Sequence, residues 1–317
     1  MIISLLFIVF GFTILILGAN SLVDGATALA QKYKVSDLAI GLTIVAFGTS
    51  APELVVNTMA SYQGHDDIVL GNIIGSNHFN LFIILGIAGL IYPMTVKSST
   101  VWREIPISII AAIFLYLLAN LNFTNHTHHI ARLEGMILLS CFIGFMYYVF
   151  IQMKTDVEVV GKHIESSNIK IVLRIILGLT GLILGGKWVV DHSIVIATEL
   201  GMSEKIIGMT IIAAGTSLPE LITSIVAALK KKSDIAIGNV IGSNIFNIFL
   251  ILGVSAVIHP ISYNPLFNLD IVFLCMGSLF LFIAMFTGKK KKLDRWESAV
   301  LITAYIIYTL YIIFVEG

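Results

Sequence analysis

Residues 46–53 read Ala-Phe-Gly-Thr-Ser-Ala-Pro-Glu, and residues 213–220 read Ala-Ala-Gly-Thr-Ser-Leu-Pro-Glu. The second stretch lies 167 positions after the first. Each sits inside a long apolar run, and each puts a proline and a glutamate where an uninterrupted helix wants neither. A carboxylate inside an apolar span is expensive and marks a functional site by default. The rest of the chain reads as the apparatus that builds a site from these two glutamates.

The 317 residues are 57% hydrophobic and 12% charged, with a mean hydropathy of +0.97, whereas a soluble domain carries about 25% charged residues. This composition specifies an integral membrane protein in a lipid bilayer. Formal net charge is zero, so bulk charge points to no nucleic acid, and no protein partner or cofactor is implied. Cys141 and Cys275 both fall in apolar runs, where packing rather than a disulfide framework is expected. The first 20 residues lack a basic leader and a clear cleavage site, and are expected to stay as a first span. Ten runs are long enough to cross a bilayer: roughly 2–22, 38–60, 67–91, 103–121, 131–152, 168–190, 204–229, 234–258, 269–287 and 295–315. The short links at 61–66 and 230–233 imply antiparallel neighbours.

Orientation follows from Lys and Arg. With the N-terminus outside, 16 of the 19 basic residues lie on the cytoplasmic side, among them Lys97, Arg103, Lys230 to Lys232 and Lys289 to Lys292; Arg132, Lys187 and Lys205 do not. Both termini are therefore expected outside. The Lys run at 289–292 reads as an orientation signal rather than a lipid or nucleic-acid patch.

The halves repeat. At the same offset Gly18 matches Gly185, Asp24 matches Asp191 and Gly41 matches Gly208. Gly71-Asn72 matches Gly238-Asn239, Gly75-Ser76-Asn77 matches Gly242-Ser243-Asn244, Phe79-Asn80 matches Phe246-Asn247, and Pro93 matches Pro260. One constant offset means internal duplication. The expected organisation is a five-helix repeat over 1–152 with its motif at 41–80, a short cytoplasmic connection at 153–167, and a second repeat over 168–317 with its motif at 208–247. Five spans per half invert the second half, as in many secondary transporters, whose sites lie at midplane broken helices.

Pro52 and Pro219 lack an N–H and press on the carbonyls of Gly48 and Gly215. Helices 2 and 7 are expected to break there and free carbonyls around Ala46 and Ala213. Thr49, Ser50 and Glu53 cluster at one break, and Thr216, Ser217 and Glu220 at the other. Hydroxyl, carbonyl and carboxylate oxygens together form the ligand set of hard cations such as Ca²⁺. A proline kink with a structural glutamate is the alternative, but the whole oxygen-rich set is duplicated. Asn72, Ser76 and Asn80 lie along one face of helix 3, as Asn239, Ser243 and Asn247 do in helix 8. For Asn72 and Asn239, hydrogen bonding between helices explains the pattern equally well. These four helices hold no Lys or Arg within the membrane, with Lys205 at an edge. Two carboxylates ~5 Å apart repel by ~3 kcal/mol at an effective dielectric of 20, relieved by protonation or by cations. One Ca²⁺, or several Na⁺ in turn, would neutralise them, and a site filled by either but not both is the basis of exchange.

The paired Gly-Thr-Ser-x-Pro-Glu and Gly-Asn-x-Ile-Gly-Ser-Asn-x-Phe-Asn motifs resemble the two repeats of the calcium/cation antiporter superfamily, in particular prokaryotic sodium/calcium exchangers. The resemblance implies an all-α membrane protein of ten transmembrane helices in two inverted five-helix repeats, with broken helices 2 and 7 forming a central ion site, in a prokaryotic cell membrane. It implies Glu53 and Glu220 as acidic ligands, hydroxyls at Thr49, Ser50, Thr216 and Ser217, and carbonyls at Ala46 and Ala213. Ser76, Asn80, Ser243 and Asn247 would add further ligands. It also implies that helices 1 and 6 slide across the other eight, with the glycines near 11–18 and 178–186 packing that movement. The expected activity is Na⁺/Ca²⁺ exchange, the alternatives being H⁺- or K⁺-coupled exchange on the same fold and, more distantly, a passive cation channel. No catalytic set suits an intramembrane hydrolase, so no enzyme is expected.

Exchangers often carry Asp where Asn247 stands. With Asn in both halves the site has two carboxylates, near neutral with one Ca²⁺ and about +1 with three Na⁺ by charge count. His78, whose repeat partner is Ile245, suits packing better than ligation or proton relay. The 153–167 connection is too short for a regulatory calcium-sensing domain. Asn122 and Asn125 fit a glycosylation pattern without a context for it; His126, His128 and His129 suit a polar outer loop. Asp24 and Asp191 suit hydrogen bonding at the membrane surface, with a role in ion access as the sharper alternative.

Overall fold

The structure is a computed structural model that describes residues 2–121, 129–153, 167–201, 213–288 and 291–316. The first helix, α1 (Ile2–Tyr33), has 32 residues and, at 1.5 Å each, extends about 48 Å, well beyond a ~30 Å hydrocarbon core. Ser36 caps α2 (Asp37–Ile40), accepting the Ala39 N–H at 3.1 Å. A π-helical turn, Gly41–Val45, runs into α3 (Ala46–Thr49). At Ser50 the backbone leaves helical geometry (φ −83°, ψ 6°), and α4 (Ala51–Tyr62) departs at 48°.

The chain then forms α5 (Asp66–His78), a π turn Phe79–Ile84 and α6 (Leu85–Ile91) as one span. After β1 (Met94–Thr95) come a π turn Thr100–Glu104, α7 (Ile105–Asn120), β2 (His129–Ile130) and α8 (Arg132–Gln152). The second half runs α9 (Asn168–Glu199), α10 (Ala213–Thr216), α11 (Leu218–Leu229), α12 (Ser233–Phe246), a π turn Asn247–Ile251 and α13 (Leu252–Ile258). It ends with β3 (Ile261–Ser262), α14 (Phe267–Ala284), β4 (Lys292–Leu293) and α15 (Arg295–Glu316). Four pairs, α3/α10, α4/α11, α6/α13 and β1/β3, start and stop 167 residues apart. The two short antiparallel ladders are reciprocal: β1 pairs with β4 (Met94↔Leu293) and β2 with β3 (Ile130↔Ile261), each joining one half to the other.

Among the described residues seven helices are long and apolar enough to cross a membrane, or eight with the bent pair Asp37–Tyr62 counted once. Of the ten expected runs, that at 204–229 is described only from Ala213 onward, and the last corresponds to the 22-residue α15. Gly208, Lys205, the 122–128 loop and most of the 153–167 connection lie outside the described residues.

The break itself differs from expectation. Pro52 and Pro219 each stand as the second residue of a new helix, where no N–H is needed and the ring is compatible with the helix. They start α4 and α11 rather than interrupt a helix already running. The carbonyl of Ala46 is not stripped of its partner: it accepts the Ser50 N–H at 3.0 Å, with the Thr49 hydroxyl 3.3 Å away and closer to other acceptors. Any ligation by Ala46 would use a second lone pair.

The two spans around α5 and α12 are mostly buried inside the molecule, whereas most of α1 is not. Those two spans are the centre of the molecule. α1 packs along α9 through glycines. A Cβ on Gly18 would lie 2.8 Å from the Gly178 carbonyl, and one on Gly185 would lie 2.7 Å from that of Gly11, so the backbones approach as only small residues allow. Ser21 donates to the Arg174 carbonyl at 2.9 Å across the same seam.

Candidate cation site

Because each proline begins a helix, Glu53 and Glu220 occupy the first turns of α4 and α11. Unpaired N–H groups and the helix dipole there favour a carboxylate. Both glutamates are buried, at 2% and 1% exposure. Their partners cross between the halves. Ser50, three residues before Glu53, donates to Glu220 Oε1 at 2.9 Å; Ser217, three residues before Glu220, donates to Glu53 Oε1 at 3.3 Å. Ser50 also meets the Ser243 hydroxyl at 3.0 Å, and Ser217 meets that of Ser76 at 3.3 Å. Six side chains from four helical segments thus form a buried network of two triads, Ser50–Glu220–Ser243 and Ser217–Glu53–Ser76, each the repeat counterpart of the other.

The network leaves oxygen unused. Glu53 Oε2, Glu220 Oε2, Asn80 Oδ1 and Asn247 Oδ1 are all buried without a protein partner. Asn80 and Asn247 stand one turn beyond Ser76 and Ser243, at π turns, a distortion frequent at functional sites. Among the described residues no Lys, Arg or His pairs with either glutamate; the ion pairs lie elsewhere, at Lys97–Asp234, Lys230–Asp24, Lys232–Asp37, His259–Asp66 and Lys292–Asp294. Burying an unpaired carboxylate costs several kcal/mol, and the donor set around these two is oxygen throughout, the chemistry of Na⁺ and Ca²⁺ rather than of a soft metal.

The profile of the family described as "Sodium/calcium exchanger protein" matches residues 3–151 and 170–314. The chain belongs to the sodium/calcium exchanger family. Within this family, the sodium/calcium exchanger MaX1 of Methanosarcina acetivorans is 30% identical, with 99% of each chain covered. CaxA of Alkalimonas amylolytica is 35% identical over 97% of this chain and 98% of its own. The solved structure of the sodium-calcium exchanger NCX_Mj, soaked with Na⁺ and Sr²⁺, superposes with a TM-score of 0.84 at 29% identity over 98% of both chains. Family and fold are those of a membrane transporter, within the calcium/cation antiporter superfamily.

In this family member the remaining residues singled out from sequence divide. Thr49 is buried, its hydroxyl within reach of the Val45 carbonyl (3.1 Å) and of Asn239 Oδ1 (3.0 Å); Thr216 is only half-buried. Asn239 is fully engaged between helices, donating to the Glu220 carbonyl at 3.3 Å and to the Ser224 hydroxyl at 3.0 Å. Asn72 is half-buried and accepts from Ser76 at 3.1 Å. Asn239 is thus bonded to other helices, whereas Asn72 is bonded within its own. Ala213 opens α10. His78 is packed between the rings of Phe82, Phe273 and Tyr308 and bonds the Asp270 carbonyl at 2.8 Å. Asp24 bonds Lys230 at 2.7 Å, and Asp191 is exposed. Cys141 and Cys275 are half-buried free thiols.

Sequence reading missed four buried polar residues around the site. Asn57 donates to the Glu53 carbonyl at 2.7 Å, and its repeat counterpart Ser224 anchors Asn239. Asn77 and Asn244 flank the network and bond across it. The last two were visible as an identical pair at the constant offset; Asn57 and Ser224 differ in type, so only their matched positions could have shown them.

Proposed function

We propose that this chain is a secondary active antiporter that exports Ca²⁺ in exchange for Na⁺ entering down its gradient. Alternating access takes place at a midplane site built on Glu53 and Glu220. Its frame is ten transmembrane helices in two inverted five-helix repeats, 1–152 and 168–317, with both termini outside a prokaryotic cell membrane. The observation that carries the reading is the crossed pair: each buried glutamate is bonded by the other half's serine and keeps one oxygen unpartnered. Cation binding supplies the missing charge. Ser50, Ser217, Ser76, Ser243, Thr49 and Thr216 contribute hydroxyls, Asn80 and Asn247 amide oxygens, and Ala46 and Ala213 carbonyls, with Asn72 and Asn239 holding the frame. One Ca²⁺ takes 6–8 oxygens, and Na⁺ ions occupying parts of the same set exclude it.

Purified protein in vesicles tests this directly. An outward Na⁺ gradient drives uptake of labelled Ca²⁺ with a fixed coupling ratio. Uptake driven by a pH or K⁺ gradient and indifferent to Na⁺ would replace Na⁺ as the coupling ion. Ca²⁺ flux that never runs uphill would make the protein a passive channel.

A further inference from the structure

The two amide ligands of the proposed site occupy matching positions, yet their surroundings differ. Asn247 Nδ2 donates to Asn77 Oδ1 at 3.0 Å, which leaves Asn247 Oδ1 as its only free polar atom. The repeat counterpart of that bond would join Asn80 to Asn244. It is not made: Asn80 Nδ2, Asn80 Oδ1 and Asn244 Oδ1 all lack partners. Asn77 is completely buried and its own Nδ2 is unpartnered.

An asparagine serves a cation only through its oxygen, and its NH₂ repels one. We propose that Asn77 is the positioning residue that fixes Asn247 with its oxygen toward the ion, making position 247 a constant neutral ligand while Asn80 stays free to turn. This rests on the exchange reading of the site. Asn77 thereby sets what position 247 can be. Toward an amide it offers its oxygen; toward a carboxylate it would have to turn and offer its NH₂. A carboxylate at 247 presents an oxygen to the ion in either orientation, so it has no need of the lock.

The experiment is equilibrium Ca²⁺ binding, with Na⁺ competition, to the purified full-length chain in Asn247 and Asn247→Asp backgrounds. Asn77→Ala weakens Ca²⁺ binding about three- to tenfold with Asn247, the loss expected for one buried hydrogen bond, and by less than about twofold with Asn247→Asp. Equal losses in both backgrounds overturn the assignment, because a purely structural role does not depend on what stands at 247. Asn77→Asp is isosteric and keeps an acceptor for Asn247, so it retains affinity within about threefold of the original, inside the range of one hydrogen bond. A loss with Asn77→Asp greater than about threefold overturns the lock even where Asn77→Ala does not fold. Wild-type protein that binds neither Ca²⁺ nor Na⁺ sinks the exchange reading and this one with it; wild-type binding with equal losses sinks the role of Asn77 alone.

Discussion

A carboxylate far from water is stable only if something supplies positive charge or donors, and Glu53 and Glu220 receive one serine hydroxyl each. Substituting glutamine removes the charge while keeping the shape. Glu53→Gln and Glu220→Gln therefore each abolish Na⁺-driven Ca²⁺ uptake in vesicles while leaving the purified protein monodisperse; near-normal coupled uptake in both would sink the site. The serines have a graded effect. Ser50 makes contacts of 2.9 and 3.0 Å and Ser217 two of 3.3 Å. A net hydrogen bond contributes about 0.5–1.5 kcal/mol. Ser50→Ala accordingly lowers Ca²⁺ affinity about tenfold and Ser217→Ala less, as read by competition binding; the reverse order would show that the crossed bonds do not govern affinity. These residue types and their pairing were legible in the two motifs. That each serine serves the opposite glutamate was not, because nothing in a linear pattern says which half a side chain faces.

At the scale of the element, the glycine of each Gly-Thr-Ser motif receives a side chain of α9. A Cβ on Gly48 would lie 2.3 Å from Leu179 Cδ2, and one on Gly215 would lie 2.3 Å from Val190 Cγ2. Overpacking of this kind costs about 1–3 kcal/mol. Gly48→Ala lowers the thermal midpoint in the native background and has little effect where Leu179→Ala has already emptied the space. An equal drop in both would mean that backbone freedom, not the seat for Leu179, is what the glycine supplies. The sequence showed the glycines but could not show their partners, because Leu179 and Val190 both lie on another helix, the first 131 and the second 25 residues from its glycine. The behaviour of the prolines was hidden for a different reason. A proline ends one helix or begins another with equal ease, and the turn at Ser50 and Ser217 decides in favour of beginning. The π turns were equally invisible, since Phe79–Ile84 and Asn247–Ile251 are as apolar as ordinary helix.

At the scale of the whole molecule, the reciprocal ladders and the crossed serines imply one pseudo-two-fold relation running through the site. If the halves are inverted, the loop at Lys230 to Lys232 and the C-terminus face opposite sides of the membrane. A phosphatase fused after Gly317 is then active outside the cell, and one fused after Lys231 is inactive. The opposite pattern would reverse the orientation read from the basic residues.

The sequence by itself determined the membrane class, the duplication, the two glutamates and the absence of basic groups near them, because composition, a constant offset and apolar length are one-dimensional properties. Only the tertiary structure decided which oxygens are engaged and which remain open. It gave Asn239 to the frame, held Asn247 by Asn77 and left Asn80 unheld, although sequence treats the two halves alike. The physical reason is that a buried amide or hydroxyl is oriented by whichever donor or acceptor lies within about 3 Å, and packing between distant helices selects that neighbour.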